Sequence, residues 1–371
     1  MENKVYFYVG TYTNSIKFGT GRIVEGKGKG IYLIEFDLKS FNIKIINTFS
    51  NILNPSYIRL NKKHNLLFVV NELKEYLSEV GGAVCSYHVD KLTGKISLIN
   101  VQPTVGSDPC HIELNMDESQ LYVSNFDSGS LSVFGINLDG SIGNLLQFIQ
   151  NSGSSVDPER QKGPHVHSVT CSPNGKFAYV QDLGLDKIFI YEISVGDTPL
   201  QEISESPINT KPGSGPRHSI ISKGNYYYVI NELDSSILVY SHHPSTGGLK
   251  ELQYISTIPK DNTIMNNTCA DIHITPDGNF IYGSNRGHNS LAIFRIDQST
   301  GCLTNIGFHP SGGSEPRNFA IEPSGNFLMC ANQDSDNLTV FSIDQKSGAL
   351  NEVSRIMIPT PVCIQFVDLE R

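Results

Sequence analysis

Residues 269–297 decide the fold and read CADIHITPDGNFIYGSNRGHNSLAIFRID. The stretch contains an apolar segment, a Pro-Asp-Gly-Asn turn, a second apolar segment that ends at Asn285, a short polar loop and a third segment. Because proline presets φ and glycine tolerates positive φ, the pattern predicts strands joined by tight turns. A ribbon of three strands cannot bury both of its faces, so the unit must stack on others.

The second segment of this stretch recurs along the chain. Copies of residues 281–285 lie at 67–71, 121–125, 178–182, 227–231 and 328–332, and residues 7–11 form a seventh copy. In the full copies a third segment follows, and then a glycine turn that introduces a fourth. Four antiparallel strands per unit are typical of a β-propeller blade.

Proline spacing and the two chain ends support the same fold. The prolines that precede successive units, at 55, 109, 164 and 216, are 54, 55 and 52 residues apart, and Pro316 and Pro361 are 45 apart. The N-terminal unit lacks a first strand, whereas residues 361–366 form a first strand with nothing after it. We therefore predict an all-β, seven-bladed β-propeller with four antiparallel strands per blade. The C-terminal strand joins the N-terminal blade and closes the ring, and residues 1–371 form a single domain.

Charge and hydropathy limit the partners. The 371 residues carry a formal net charge of −9, which disfavours nucleic acid or an anionic membrane as partner. Lys17, Arg22, Lys27 and Lys29 are scattered among glycines, and this segment is predicted to be a solvated loop. No run of 18 apolar residues occurs, so no membrane span is expected. The chain is expected to be a monomer or a weak homo-oligomer.

The cysteines indicate a compartment. Seven are present, an odd number, widely spaced and without a Cys-x-x-Cys pair. The N-terminus has no basic segment followed by a long apolar one, as a secretory signal would have. A reduced, cytoplasmic protein with free thiols is predicted.

The ends of the predicted strands indicate where a site should lie. Neighbouring strands are antiparallel, so the start of strand one and the end of strand two lie on the same face of every blade. An asparagine recurs at the end of strand two, which suggests a turn-forming role, but the next position varies strongly. The variable positions at these two places, which should converge on one mouth of the central channel, include Glu72, His167, Arg217, Glu232, Arg286 and Arg317.

This set of side chains predicts a pocket for a small anionic substrate. Arginine binds carboxylate or phosphate with a planar fork, and desolvation strengthens each such bond. Three alternatives stay open: Arg-Glu pairs that only brace the blades, a non-catalytic propeller that binds proteins, and Ca²⁺ held by oxygen ligands such as those of Glu72, Asp182 and Glu232. His165 and His167 lack clear third and fourth metal ligands, so neither a metal nor a cofactor is predicted.

Several motifs together resemble the seven-bladed propeller lactonase family. They are Arg160-Gln161-x-x-Pro164-His165-x-His167, Pro216-Arg217-His218, Asn231-Glu232, Asp271-Ile272-His273, Asn285-Arg286-Gly287-His288-Asn289-Ser290 and Glu315-Pro316-Arg317-Asn318-Phe319. That family includes a 6-phosphogluconolactonase and the fungal-type 3-carboxy-cis,cis-muconate lactonizing enzyme. The resemblance implies a metal-independent site at one mouth of the channel, with His167, Arg217, Glu232 and Arg286 as its residues.

The leading hypothesis is hydrolysis of a sugar-acid lactone, most simply 6-phosphogluconolactone. His167 or Glu232 is the general base, Arg217 and Arg286 bind the anion and stabilise the oxyanion, and Arg317 binds the phosphate. A lactonizing cycloisomerase acting on a carboxy-muconate is the alternative reaction, because arginine suits phosphate and carboxylate alike. The remaining predicted substrate-binding residues are Glu72, Gln161, His165 and His218.

Overall fold

The computed structural model describes residues 3–261 and 266–370. Within these ranges the chain forms seven antiparallel sheets, each a propeller blade with at least four strands, so the predicted all-β propeller is confirmed. Blades are numbered in the order in which their second strands occur along the chain, and their strands run outward from the central channel.

Blades 1 to 4 take their strands from residues 4–209, except for the first strand of blade 1, which comes from the C-terminus. The strands of blade 1 are Pro361–Val367, Lys4–Thr11, Gly30–Asp37 and Ile43–Ser50. Those of blade 2 are Ile58–Leu60, Leu66–Asn71, Ala83–Val89 and Ile96–Pro103. Those of blade 3 are Pro109–Leu114, Gln120–Asn125, Ser130–Ile136 and Ile142–Gln150. Those of blade 4 are Val166–Cys171, Phe177–Asp182, Lys187–Ile193 and Leu200–Glu202, with Ile208–Asn209 also paired to the third strand.

Blades 5 to 7 follow the same order. The strands of blade 5 are Pro216–Ile221, Tyr226–Asn231, Ser236–His242 and Leu249–Ser256. Those of blade 6 are Thr268–Ile274, Phe280–Arg286, Ser290–Ile296 and Leu303–Pro310. Those of blade 7 are Pro316–Ile321, Phe327–Asn332, Asn337–Ile343 and Leu350–Met357.

Blade 1 closes the ring as predicted. Its first strand comes from the C-terminus and pairs antiparallel with Lys4–Thr11, placing Phe7 opposite Phe366 and Val9 opposite Ile364. Each end of the chain thereby satisfies the backbone hydrogen bonds of the other, and the ring has no open seam.

The core lies between the blades. Seven apolar clusters each join two neighbouring blades, such as Tyr122, Val133, Val169 and Val180 between blades 3 and 4. Successive side chains of a strand point to opposite faces of the sheet, and both faces of each blade pack against a neighbouring blade.

Buried tyrosines add a polar link between neighbouring blades. The hydroxyl groups of Tyr8, Tyr179 and Tyr282 each donate a 2.8 Å hydrogen bond to a glycine carbonyl, at Gly94, Gly247 and Gly348 respectively, in the next blade. A buried tyrosine needs such a partner, so the repeated glycine turns serve packing between blades as well as chain reversal.

Two short hairpins extend beyond the blades. Ile16–Lys17 pairs with Ile23–Val24, and Glu75–Tyr76 pairs with Glu79–Val80. In the described part of the chain no helix is long and apolar enough to span a bilayer.

Candidate active site

One pocket of about 630 Å³ opens where the first and second strands of the blades meet the central channel. Its lining includes side chains from the predicted set of strand ends, namely Glu72, His167, Glu232, Arg286 and Arg317. The structure therefore brings together residues that are up to 245 positions apart in sequence, from Glu72 to Arg317.

A β-bulge at the start of the first strand turns one side chain toward the channel in several blades. The strand register shifts around Cys110, His167, Arg217 and Arg317, in blades 3, 4, 5 and 7. A bulge adds an unpaired residue and re-aims its side chain. One of the two variable positions of the repeats is thus a position that the ladder leaves free.

Glu232 is the centre of the charged cluster. It follows the second strand of blade 5, and only 4% of its surface is exposed. Its Oε1 atom accepts a hydrogen bond of 2.6 Å from Arg160 Nη2, and its Oε2 atom lies 2.9 Å from Arg217 Nε and 2.8 Å from Arg286 Nη2. Both carboxylate oxygens are thus bound by guanidinium groups from three different parts of the chain.

The same cluster fixes the ionisation of Glu232. Burial alone would raise the pKa of Glu232, but the guanidinium groups of Arg286, Arg160 and Arg217 outweigh it and hold this pKa well below its usual value. Both oxygens of this carboxylate are occupied by guanidinium donors, so Glu232 is poorly placed to take a proton from water.

His167 lies beside this cluster in the pocket wall. It is 4% exposed, and its Nδ1 atom lies 3.8 Å from Cys110 Sγ, which is the only polar contact of the ring among the described residues. Burial, followed by the positive charge of Arg217, lowers the pKa of His167 well below 6.5. The imidazole is therefore neutral near pH 7 and has a ring nitrogen left to accept a proton.

Arg286 and Arg160 both line the pocket and bind different carboxylate oxygens of Glu232. Arg286 ends the second strand of blade 6, and Gly287 takes a φ of 99°, which lets the chain turn sharply after it. Arg160 belongs to the loop before blade 4, where Asp157 Oδ1 accepts a 2.9 Å bond from its backbone N–H. The Nε atoms of both arginines are buried without a hydrogen-bond partner in the described structure, so each has a donor to spare.

Arg317 differs from the other arginines of the pocket. Its guanidinium carbon lies 4.9 Å from the ring centroid of Phe18 and 5.4 Å from that of Tyr12. No hydrogen bond or ion pair joins it to another described residue. Tyr12 instead donates its hydroxyl to Glu72 Oε2 at 3.0 Å, and burial raises the pKa of this carboxyl group. Arg317 therefore faces the pocket without an ion pair or a side-chain hydrogen bond to a described residue. Burial would lower the pKa of its guanidinium, but Tyr12 and the more distant carboxylates of Glu72 and Glu232 raise it.

Carboxylates at the rim of the pocket are already partnered. Asp108 Oδ2 and Asp127 Oδ2 lie 3.3 and 2.7 Å from Lys74 Nζ, and Glu315 lies 3.6 Å from Arg22. Burial and the nearby charge of Glu72 raise the pKa of Asp108 to about 7. Repulsion between the rim and an anionic ligand is therefore weaker than four carboxylates would produce if all were charged and unpartnered. The four carboxylates are those of Asp108, Asp127, Asp157 and Glu315.

Arg217 and His218 lie one layer deeper than the pocket, in the channel. Arg217 donates to the Ala270 carbonyl, and its Nη1 atom lies 3.4 Å from His218 Nε2. His218 Nδ1 lies 2.8 Å from Asp271 Oδ1, and burial lowers the pKa of this histidine to about 4. Neutral His218 therefore carries its proton on Nδ1, donates to Asp271, and offers Nε2 to Arg217.

Gln161 and His165 are not in the pocket. The side chain of Gln161 binds the backbone of Asp157 and Leu183, at 3.0 and 2.9 Å. His165 stacks on Phe126 with a centroid distance of 4.5 Å, and its Nδ1 atom lies 2.9 Å from the Phe126 carbonyl. Both residues hold the loop that presents Arg160 and His167.

Sequence reasoning missed two contributors to the site. Arg160 was visible in the motif with Gln161 and His165, but its loop position gave no sign that it reaches Glu232. The segment with Lys17 and Arg22, predicted to be a solvated loop, instead lines the pocket. Over residues 3–261 and 266–370, no group of three or more histidine, cysteine, aspartate or glutamate side chains is placed to share a metal ion.

Comparison with known proteins gives a consistent result. The family model described as "Lactonase, 7-bladed beta-propeller" matches residues 6–366. The 6-phosphogluconolactonase of Bacillus subtilis is 31% identical over 363 residues, which cover 97% of each chain. The 6-phosphogluconolactonase of Formosa agariphila is 35% identical over 299 residues, covering 80% of this chain and 83% of that one. The structure of the periplasmic gluconolactonase of Pseudomonas aeruginosa superposes with a TM-score of 0.88 at 32% identity, covering 98% and 99% of the two chains.

Proposed function

Because the chain belongs to the seven-bladed β-propeller lactonase family, we propose that it hydrolyses a small anionic sugar-acid lactone, with 6-phosphogluconolactone as substrate. The observation that carries this proposal is one pocket in which a neutral histidine lies beside buried arginines bound to Glu232, with an unpaired Arg317 in the same wall. The two 6-phosphogluconolactonases described above support the choice of substrate.

In the proposed reaction His167 is the general base. Water adds to the lactone carbonyl carbon as His167 takes one of its protons, and the carbonyl oxygen becomes an oxyanion. The ring C–O bond then breaks, and the protonated imidazole returns the proton to the leaving ring oxygen. The product is the open-chain hydroxy acid, so atoms and protons balance without a co-reactant. His167 is preferred to Glu232 because both carboxylate oxygens of Glu232 already accept from arginine.

The arginines divide into two roles in this proposal. Arg286 and Arg160, which line the pocket, stabilise the oxyanion, since preorganised positive charges and donors act strongly in a site that excludes water. Arg217, which lies below Glu232, orients that carboxylate and through it the other two guanidinium groups. Arg317 binds the phosphate.

The proposal extends to partners and compartment. A small anionic lactone is the expected partner, and no role for nucleic acid or a membrane is proposed. A cytoplasmic location agrees with seven free cysteines. One similar structure is described as a periplasmic protein, and fractionation of the source cells tests the location directly.

The experiment that tests the proposed function is a substrate comparison with the wild-type protein. We expect release of 6-phosphogluconate from 6-phosphogluconolactone well above the spontaneous rate, and no lactonization of 3-carboxy-cis,cis-muconate. Turnover of the muconate with none of the lactone would assign the cycloisomerase reaction to this pocket. Turnover of neither would contradict the proposal.

A further inference from the structure

A hairpin roofs the pocket from the side of blades 1 and 7. Its strands Ile16–Lys17 and Ile23–Val24 pair so that Ile16 lies opposite Val24, and both side chains are buried against Tyr12 and Val362. Arg22 forms an ion pair with Asp334, and Lys27 Nζ lies 2.6 Å from Asp336 Oδ2. Apolar packing and ion pairs therefore hold the hairpin over the mouth.

The hairpin tip reaches the far wall of the pocket. A Cβ atom placed on Gly19 would lie 3.5 Å from the Phe126 ring and 3.6 Å from Arg160 Nε. Phe126 lies before the two outer strands of blade 3, and Arg160 lies after them. The hairpin, by contrast, follows the second strand of blade 1. A ligand in the pocket must consequently fit beneath residues 17–20.

Phe18 is the hairpin residue that packs against Arg317. Its ring lies 6.0 Å from the Tyr12 ring at an interplanar angle of 60°, and the Arg317 guanidinium packs against both rings. Arginine stacks well on aromatic faces, and such contacts leave its N–H groups at the edge free to donate. Two aromatic residues thus restrict Arg317 without using its hydrogen-bond donors.

The charges of three other arginines around the pocket are partly offset by carboxylates. Arg160 and Arg286 bind Glu232, and Arg22 binds Asp334. Arg317 has no carboxylate within ion-pair distance in the described structure. A phosphate group carries nearly two negative charges near neutral pH, so it is best matched by a guanidinium whose charge and donors are unused.

We propose that Phe18 is a specificity-determining residue, which positions Arg317 so that the pocket selects lactones with a remote phosphate over neutral lactones. The inference rests on the proposed function for the identity of the substrate. It adds that selectivity for the phosphate depends on the hairpin, and that Phe18 acts through Arg317 without taking part in the chemical step.

Calorimetric binding of the product pair tests this inference without requiring turnover. The dissociation constants of 6-phosphogluconate and gluconate are compared for the wild type, Phe18→Leu, Phe18→Tyr and Arg317→Met. We expect Arg317→Met to weaken 6-phosphogluconate binding by about 10- to 100-fold and Phe18→Leu by roughly 3- to 30-fold. Phe18→Tyr keeps the aromatic face and should stay within about twofold of the wild type. Gluconate binding should change little in all three variants.

Lys29→Gln is the matched control, because it removes a positive charge from the segment that follows the hairpin, at an exposed residue that does not line the pocket. If the control loses as much affinity for 6-phosphogluconate as Arg317→Met does, the binding reflects general attraction between charges and the inference is wrong. Unchanged 6-phosphogluconate binding in Phe18→Leu, or no binding by the wild type, would overturn it. A further outcome is that the wild type binds 6-phosphogluconate, with affinity that depends on Arg317 and Phe18, and yet hydrolyses no lactone. That result would contradict the proposed function but support the phosphate site.

Discussion

At the scale of single residues, the carboxylate of Glu232 allows three arginine side chains to lie close together beside the pocket. Three guanidinium groups and one carboxylate leave the cluster with two net positive charges (3 − 1 = 2), inside a protein whose formal net charge is −9. Burying an unpaired charge is costly, and one shared partner lowers that cost. The cluster keeps positive charge where an anionic substrate is expected.

Separate substitutions distinguish the roles of His167 and Glu232. His167→Ala should lower kcat by about 10² to 10⁴-fold, as expected for loss of a general base, with little change in thermal stability. Glu232→Gln leaves three buried guanidinium groups without their carboxylate and should lower the free energy of unfolding by roughly 3–5 kcal/mol. Steady-state kinetics and urea unfolding measure the two effects. Turnover by His167→Ala at the wild-type rate would show that His167 is not the general base.

The pH dependence of hydrolysis follows from the lowered pKa of His167. Burial and Arg217 keep the imidazole neutral well below pH 6.5, so the base stays unprotonated and active from about pH 6 to 8. The profile is measured in an Asp108→Asn variant, because the Asp108 carboxyl group in the same pocket has a pKa of about 7 and would titrate in this range. We expect kcat/KM of this variant for glucono-δ-lactone, which has no titrating phosphate, to be flat from about pH 6 to 8 and to fall only in more acidic buffer. An inflection near the ordinary histidine pKa of about 6.5 would contradict this environment for His167.

Comparison of the repeats predicted part of the site at this scale. His167, Glu232, Arg286 and Arg317 were predicted to face one pocket, because antiparallel strands bring those chain positions to one face. Arg160 could not be predicted in the same way, because it lies in a loop that no other blade repeats. Its contact with Glu232 depends on how that loop folds on Gln161, which is a tertiary property.

At the scale of elements, the bulge that begins the first strand turns side chains of a blade toward the central channel. In blade 6 the register shifts between Cys269 and Ile272 and releases Ala270 and Asp271 from the ladder. Asp271 then accepts bonds from His218 at 2.8 Å, His273 at 3.0 Å and Asn318 at 2.6 Å. One carboxylate therefore connects blades 5, 6 and 7 below the pocket.

Asp271→Asn tests this connection. Burial alone would raise the pKa of Asp271, but His273 and His218 hold it well below 3.8. The interaction of the carboxylate therefore stabilises the fold at neutral pH and is lost as pH falls through this lowered pKa. We expect the variant to lose roughly 2–4 kcal/mol of unfolding free energy at pH 7, and the difference from wild type to shrink in acid. The exposed turn variant Asp344→Asn serves as control, and equal losses in both would argue against a special role.

The hairpin at residues 16–24 marks the limit of prediction for elements. Each strand has only two residues, and glycines flank them, so no alternating pattern identifies them. Its structure comes from contacts that the sequence does not display, chiefly Ile16 and Val24 against Tyr12 and the ion pairs of Arg22 and Lys27. The four main strands of each blade carry repeated turns and apolar runs, and the sequence therefore predicts them well.

At the scale of the whole molecule, ring closure depends on Pro361–Val367. This strand pairs with Lys4–Thr11, and its residues Cys363 and Ile364 pack in two of the clusters between blades, one on each side of blade 1. This pairing confirms the prediction made from the unmatched chain ends. The physical reason for closure is that a propeller with an open blade would expose a strand edge and the apolar clusters on both sides of blade 1.

Removal of residues 361–371 should therefore damage the entire fold and not only blade 1. We expect the truncated protein to aggregate, or to unfold without the single cooperative transition of the full chain. A synthetic peptide of the missing sequence should restore cooperative thermal unfolding, which calorimetry can follow. A truncated protein as stable and monodisperse as the full chain would contradict closure by this strand.

The central claim is that one mouth of the propeller binds a phosphorylated sugar acid between the Glu232 arginine cluster and Arg317. A crystal structure with 6-phosphogluconate tests it most directly. The account predicts the product carboxylate within hydrogen-bond distance, about 2.7–3.2 Å, of Arg286 or Arg160 and beside His167, with the phosphate on Arg317 beneath Phe18. A ligand bound elsewhere, or bound with its phosphate on the Glu232 cluster and its carboxylate at Arg317, would contradict it.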